Sequence, residues 1–292
     1  MTDSTDQRLE ALERKLDIFR TPVVRETGGE LPPVGTVADF LPANLPGDLA
    51  ARSARDHLPI PAPANRELYR PDDHFGYWMM GLEDYDKVVR AARRMSVAGN
   101  RVYDFGGSTG RVFRHFYCQD RGCEVWTSDF KLNSYLWNQR HMPGDVRSFL
   151  NTATPSLPVP DQYFDIITAF SVFTHIDELE SSWLLELRRV LKPGGLLYVT
   201  FHDEAFWEAM PTHLLEVLQR SPNGKDLNSE SPFPGPRTTF PFTAESHYSC
   251  NVFHGTDYVH KQWGRFFEVV DTRPRDAEKQ CVALLTYDTQ RG

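Results

Sequence analysis

The run Val102-Tyr103-Asp104-Phe105-Gly106-Gly107-Ser108-Thr109-Gly110-Arg111 closes an apolar stretch on an acid and then turns through three glycines. Glycine opens backbone angles closed to other residues and lets a ligand touch the main chain. A strand that turns this way into a helix is how doubly wound sheets present their backbone to a nucleotide. A Walker loop needs Lys-Ser/Thr after the glycines, and Arg111-Val112 stands there instead. A dinucleotide fingerprint needs G-x-G-x-x-G, and no set of glycines here has that spacing. The pattern that remains is D-x-G-x-x-x-G. A second chemistry is offered by His175 and His202, which follow two apolar runs. Imidazole changes charge near neutral pH, so both are candidates for a catalytic base. Asp203 and Glu204 follow His202 and can orient it or hold a metal, and His254 and His260 can reach the same place. No spacing among these residues matches a known ligand motif, so no metal is expected.

The elements that would hold these residues follow from pattern. Leu82, Tyr85, Val88, Val89 and Ala92 share one helical face, and Gly99-Asn100 should end that helix. A strand over 101–105 is followed by a helix from Thr109. A strand over 124–127, a helix over 132–140 and a strand over 148–151 come next. The stretch 165–171 is apolar and β-rich, as buried strands are. A helix over 178–191 is stopped by Lys192-Pro193-Gly194-Gly195, and a buried strand covers 196–201. Alternation of this kind gives an α/β fold, a doubly wound, mostly parallel sheet with helices on both faces. The last two strands, 266–272 and 280–286, are joined by a turn too short for a helical crossover, so the sheet should carry an antiparallel strand at its C-terminal end. A proline- and aromatic-rich insertion at about 203–251 leaves a strand's C-terminal end, where ligands bind in such sheets. Trp78, Phe233, Phe240, Phe242, Tyr248 and Phe253 can stack on a planar substrate or fill a core.

These motifs, in this order, resemble the class I S-adenosylmethionine-dependent methyltransferases. Asp104, Gly106 and Gly110 match that family's first motif, with Ser108 in place of its middle glycine. Asp129 stands about 25 residues on, at the end of the second strand. The runs Phe164-Asp165 through Thr174-His175 and Leu187 through Gly195 also match, as does the terminal hairpin, so the resemblance spans most of 77–288. It implies a seven-stranded Rossmann-like sheet and S-adenosylmethionine as cofactor. Gly106, Gly107, Ser108 and Gly110 would cradle it, with Asp104 near its methionine end. Asp129 would hold the ribose, Phe130 would lie against the adenine, and Asn151 or Thr152 would meet the adenine edge. Phe170 and Ser171 would form the floor. The family usually has an acid where Asn151 stands.

Composition bounds the rest. The 292 residues are 40 % hydrophobic and 25 % charged with a formal net charge of -8, which opposes general nucleic-acid binding. Arg90, Arg93, Arg94 and Arg101 form a loose basic group. No run approaches the ~20 apolar residues of a membrane span. The polar N-terminus is no secretory signal, and the four cysteines fit reduced thiols, so a cytoplasmic location is expected. Leu9, Leu12, Leu16 and Phe19 suggest an N-terminal helix over 1–20 able to pair two copies. Residues 21–65 are a proline- and glycine-rich arm, and the methyltransferase domain would occupy 66–292. The expected reaction is O-methylation of a sugar or another small hydroxylated acceptor. N- or C-methylation of a small metabolite, or a non-catalytic interaction role, are the alternatives.

Overall fold

A computed structural model describes residues 32–288 apart from Leu68, residues 242–249 and Glu278. The expected N-terminal helix and its pairing, the first part of the arm, and Phe242 and Tyr248 lie outside the described residues.

The proline-rich segment forms elements despite its composition. Strands β1 (Pro33–Thr36) and β2 (Pro59–Pro61) pair antiparallel, and helix α1 (Gly47–Ser53) lies between them. Both strands of a two-stranded sheet are edges, where the missing N–H of Pro33, Pro59 and Pro61 is tolerated. Helix α2 (His74–Arg94) starts about two turns earlier than its apolar face from Leu82 suggests, because Asp73 caps it by accepting the Gly76 N–H at 2.7 Å. It ends at Arg94, ahead of the expected Gly99-Asn100. Ser96 takes the left-handed position with φ of 56°, and the Val97 N–H returns to the Ala92 carbonyl at 2.9 Å.

The central sheet follows. It contains β3 (Arg101–Phe105), β4 (Glu124–Asp129), β5 (Arg147–Leu150), β6 (Phe164–Ala169), β7 (Leu191–Phe201), β10 (Glu268–Arg275) and β11 (Lys279–Thr286). Helices α3 (Phe113–Gln119), α4 (Leu132–His141) and α5 (Glu180–Val190) connect them. The order is β10-β11-β7-β6-β3-β4-β5, parallel except for β11, which runs against both neighbours. From β3 the chain moves outward to β4 and β5, then returns to place β6 on the other side of β3. The carboxyl ends of β3 and β6 therefore flank the topological switch point. All six residues of β6 are buried, the polar Asp165 and Thr168 included, as a central strand covered on both faces requires. The Lys192-Pro193-Gly194-Gly195 stretch lies within the first turn of β7, where Phe164 pairs with Leu191 and Ile166 already pairs with Leu196. The C-terminal hairpin is tighter than expected, with Arg275 paired to Lys279.

Two apolar layers cover the sheet. One holds Trp78, Leu82, Val88 and Tyr198, the other Tyr103, Ile167, Leu187 and Leu285. The insertion has a small core of its own. Helices α6 (Glu204–Glu208) and α7 (Thr212–Leu218) and strands β8 (Arg237–Pro241) and β9 (Cys250–His254) enclose Phe206, Trp207, Leu218, Phe240 and Phe253. Helix α8 (Thr256–Gln262) leads back to the sheet. Strand β9 lies across the carboxyl ends of β6 and β7, since Val252 N–H bonds the Thr174 carbonyl and His254 N–H the His202 carbonyl, both at 2.8 Å. No helix among the described residues is long and apolar enough to cross a membrane.

A buried ion pair ties the N-terminal segment to this body. Asp56 accepts Arg114 Nε at 2.8 Å and Nη2 at 2.9 Å, and also the Trp78 indole N–H at 2.8 Å. Both charged side chains are fully buried, and the pairing with Arg114 holds the Asp56 carboxyl well below the usual carboxylate range. Arg114 spends its remaining donors on the carbonyls of Leu58 and Pro59. Removing one member of such a pair strands a buried charge, at a cost of about 3–5 kcal/mol. Asp56→Ala should therefore lower the free energy of urea unfolding by that order. A loss within about 0.5 kcal/mol, the range of an ordinary surface change, would show that the segment is not part of the cooperative fold.

Candidate active site

The glycine turn is built against β4. Gly106 and Gly107 both donate N–H bonds to the Ser128 carbonyl, at 3.0 and 3.1 Å. Gly106, Ser108 and Gly110 have φ of 72°, 46° and 95°, angles that favour glycine. A Cβ on Gly107 would collide with the Thr127 hydroxyl, and one on Gly106 with the Val172 side chain. Asp104 lies beneath the turn. It accepts the Thr168 hydroxyl at 2.6 Å and the Phe113 N–H, and burial lifts its carboxyl to about 6.

Asp129 closes the turn from the next strand. Its Oδ2 accepts the Ser108 N–H at 3.0 Å and its Oδ1 the Lys131 N–H at 2.8 Å. Burial, with a contribution from the Glu67 carboxylate, pushes its carboxyl up to about 7. A carboxylate offers about four acceptor directions, so roughly two are still to be filled. Asn151, one strand further, receives support from its own N–H on the Asp129 carbonyl. Its side-chain N–H bonds the Thr152 carbonyl, while Oδ1 is buried with no hydrogen-bond partner. Phe130 is partly buried between these two strand ends.

On the other side of the switch point, Ser171 sits in the left-handed region with φ of 55°. Its N–H bonds the Thr200 hydroxyl at 2.7 Å. Its hydroxyl meets the Tyr69 hydroxyl at 2.8 Å and the Gln280 side-chain N–H at 3.0 Å. The Gln280 amide also reaches His202 Nε2 at 3.2 Å. The His202 ring stacks on Phe206 at 4.0 Å and meets Phe253 at a tilt at 5.0 Å. Burial, then the neighbouring His175 and His254, holds its imidazole well below the usual histidine range. His175 donates from Nδ1 to the Cys250 carbonyl at 2.8 Å, and burial takes it down to about 4. The Phe170 ring packs against Tyr198 and beneath the Arg111 guanidinium, each at 5.3 Å.

Asn65, Glu67 and Tyr69 meet the walls of this cleft. The Thr109 hydroxyl donates to the Asn65 carbonyl at 2.6 Å, Lys131 pairs with Glu67 at 2.6 Å, and Arg111 lies 4.4 Å over the Tyr69 ring. Among the described residues, five of the eight non-glycine residues with positive φ, namely Glu67, Arg70, Ser108, Ser171 and Lys279, belong to the cleft or its neighbouring segments. Backbone strain of this kind gathers at functional sites.

A family model described as a methyltransferase domain matches residues 103–199, which hold the turn, Asp129, Asn151 and Ser171. The match covers a third of this chain and supports its resemblance to the class I S-adenosylmethionine-dependent methyltransferases. The chain is 34 % identical over 126 residues to a ubiquinone/menaquinone biosynthesis C-methyltransferase of Paraburkholderia phytofirmans, covering 41 % of this chain and 50 % of that protein. It is 31 % identical over 126 residues to a demethylmenaquinone methyltransferase of Renibacterium salmoninarum, covering 43 % and 51 %. The chain thus spans about half the length of these curated relatives. Among solved structures, a glycopeptide N-methyltransferase complexed with S-adenosyl-L-methionine aligns at 15 % identity and a TM-score of 0.48, over 70 % of this chain and 93 % of that one. An S-adenosylmethionine-dependent methyltransferase from Clostridium acetobutylicum aligns at 12 % identity and a TM-score of 0.49, over 77 % and 96 %.

Outside residues 103–199 the structure gives other partners to several of the sequence candidates. Asp203 does not orient His202, because it caps α6 by accepting the Phe206 N–H at 2.8 Å. Glu204 is spent on the backbone and hydroxyl of Thr256. His254 is held by Glu180 at 2.6 Å, together with Arg237, Tyr258 and Trp263, and His260 is exposed beside Thr272. No group of three or more metal-ligating side chains is placed together among the described residues. Trp78 is a core residue bonded to Asp56, and Phe233, Phe240 and Phe253 fill the insertion's own core. Tyr69, Gln280, Glu67 and Lys131 are the site residues that sequence pattern missed. Of these only Lys131, two positions after Asp129, stood near a recognisable signal.

The raised Asp129 carboxyl has a sign that can be tested. Unfolded, the group loses its proton near 4; folded, it keeps it to about 7. The folded protein therefore binds more protons in that window, and stability is lost as pH rises through it. The ligand-free protein should melt lower at pH 8 than at pH 5, and Asp129→Asn should shrink that difference. An unchanged difference in the variant, by thermal melts in matched buffers, would remove Asp129 as its source.

Proposed function

We propose that this chain binds S-adenosylmethionine along Gly106–Ser108, Asp129 and Asn151, and methylates a small hydroxylated acceptor whose proton is acidic, phenolic or enolic in kind. The cofactor half of this reading is carried by the unfilled acceptors at the two strand ends. A ribose offers two adjacent hydroxyl donors, which suit the remaining lone pairs of the Asp129 carboxylate. An adenine offers an exocyclic amine, which suits the unpartnered Asn151 Oδ1. The glycines leave the main chain open beside them, with no added Cβ possible at Gly106 or Gly107. Asp104, buried under the turn, supports the backbone that would face the methionine end.

Bound S-adenosylmethionine supplies a methyl group on a sulfonium sulfur, open to in-line displacement. The acceptor half rests on His202 and His175. Both imidazoles are neutral at pH 7 and hold protons poorly. A base matched to an unactivated sugar hydroxyl should have a pKa near the working pH. Neither ring meets that, which favours an acceptor that loses its proton readily over the sugar expected from sequence. The two rings, Ser171 and Tyr69 would then position and hydrogen-bond the acceptor oxygen. Transfer to the ring carbon of such an acceptor is the second reading, favoured by the C-methyltransferase named among the relatives.

Calorimetry with S-adenosylhomocysteine is the first test. Binding should tighten as pH rises from 6 to 8, because ribose donors favour the ionised Asp129 carboxylate. Hydrogen bonds to a charged group contribute about 1.5–3 kcal/mol each, so Asp129→Ala should weaken binding at least about tenfold. Incorporation of labelled methyl into simple phenols but not into sugars, with the product site read by NMR, separates the acceptor classes. A protein that ignores S-adenosylhomocysteine, or binds it equally after Asp129→Ala, overturns the reading.

A further inference from the structure

A cavity of about 470 Å³ opens beside the Ser171–Gln280–His202 group. Three of its lining residues, Arg70, Lys279 and Phe206, lie one residue or one contact from that group. Arg70 follows Tyr69, whose hydroxyl bonds Ser171, and Lys279 precedes Gln280, whose amide bonds Ser171 and His202. Phe206 lines the cavity with one side of its environment and stacks on His202 with another. The size suits a small molecule.

The charges in this cavity are unevenly matched. Asp84 is buried and already held between Arg111 and Lys87. Arg70 and Lys279 also line the cavity, and neither has a carboxylate partner among the described residues. Glu83 is the one other acid in the lining, and it is exposed. Arg70, Lys279 and Glu83 are all exposed, and two cations against one carboxylate leave a positive lining in a chain whose formal net charge is -8. Arg70 and Lys279 hold φ of 45° and 73°, so both cations are presented from left-handed backbone on two separate segments. Met80 and Phe206 add an apolar wall.

The geometry points to an anionic acceptor: a small planar molecule with a carboxylate or phosphate gripped by Arg70 and Lys279 and its body laid on Phe206. This rests on the methyl-transfer reading, since the cavity is taken as that reaction's acceptor site. It goes further in naming the charge that selects the acceptor. Arginine and lysine both make charge-assisted hydrogen bonds to such oxygens, and a cavity lined by one sign of charge concentrates ions of the other.

The test titrates 3-hydroxybenzoate, phenyl phosphate and the neutral 3-hydroxybenzamide into the full chain, with and without S-adenosylhomocysteine. At least one anion should bind about tenfold or more tighter than the amide, and the stronger of the two identifies the head group. Arg70→Gln and Lys279→Gln should each weaken the anion several-fold and leave amide binding unchanged. Lys279→Arg should retain the anion. Binding of S-adenosylhomocysteine should be the same in all variants, so failure of the cofactor reading shows separately in wild-type protein. Equal affinity for benzoate and benzamide, no anion binding at millimolar concentration, or anion binding indifferent to both Gln variants would each overturn the proposal.

Discussion

The Asp129 carboxylate, shared between the N–H groups of Ser108 and Lys131, is the joint on which the cleft depends. It ties the glycine turn after β3 to the end of β4, while the Ser128 carbonyl holds Gly106 and Gly107 from the same strand. A turn with positive φ at Gly106, Ser108 and Gly110 would not keep one shape alone. Bonded at three points to β4, it does. The same arrangement leaves the carboxylate buried and only half satisfied, a state costly in the empty protein and relieved by donors from a ligand. The site is therefore built at some expense to stability, as functional sites commonly are.

That expense is offset elsewhere. The Asp56–Arg114 pair satisfies both charges with a bidentate geometry and an indole N–H. Arg114 lies on α3, the helix that the glycine turn feeds, and Asp56 lies in the N-terminal segment. The pair thus fixes the start of the segment whose Asn65, Glu67 and Tyr69 meet the cleft. Thr109, Arg111 and Lys131 then take over, each with a contact to that segment. The segment's position follows from a chain of buried polar contacts, for which its own composition gives no hint.

Legibility in the sequence divides along the same line. Strand β3, its glycine turn, Asp129 and the reversed β11 were readable because each is decided locally, by an apolar run, a backbone angle or a turn too short for a crossover. Helix α2 ran past expectation at its start and stopped short at its end. Its cap was Asp73, outside the apolar pattern, and its terminator was Ser96 in a position glycine usually fills. The proline-bearing strands were missed because proline is compatible with an edge, and edges are not visible in a sequence. Tyr69, Ser171 and Gln280 meet across separations of 102 and 109 residues, and no periodicity connects them.

The two halves of the cleft differ in how they are encoded, and this bears on what the relatives convey. The residues proposed to face the cofactor fall between Asp104 and Asn151, inside the matched stretch 103–199. The acceptor-facing group draws Tyr69 from before that stretch and His202 and Gln280 from after it, with only Ser171 and His175 inside. Likeness confined to the middle of the chain carries the nucleoside grip and leaves the acceptor to the flanks. The flanks here contribute two cations without a carboxylate partner among the described residues, the shielded imidazole of His202, and an aromatic wall. Such a set gives little help in removing a reluctant proton and much in holding a charged, planar molecule still. With a cofactor that needs alignment above all, positioning of the acceptor is the larger part of what the protein must supply.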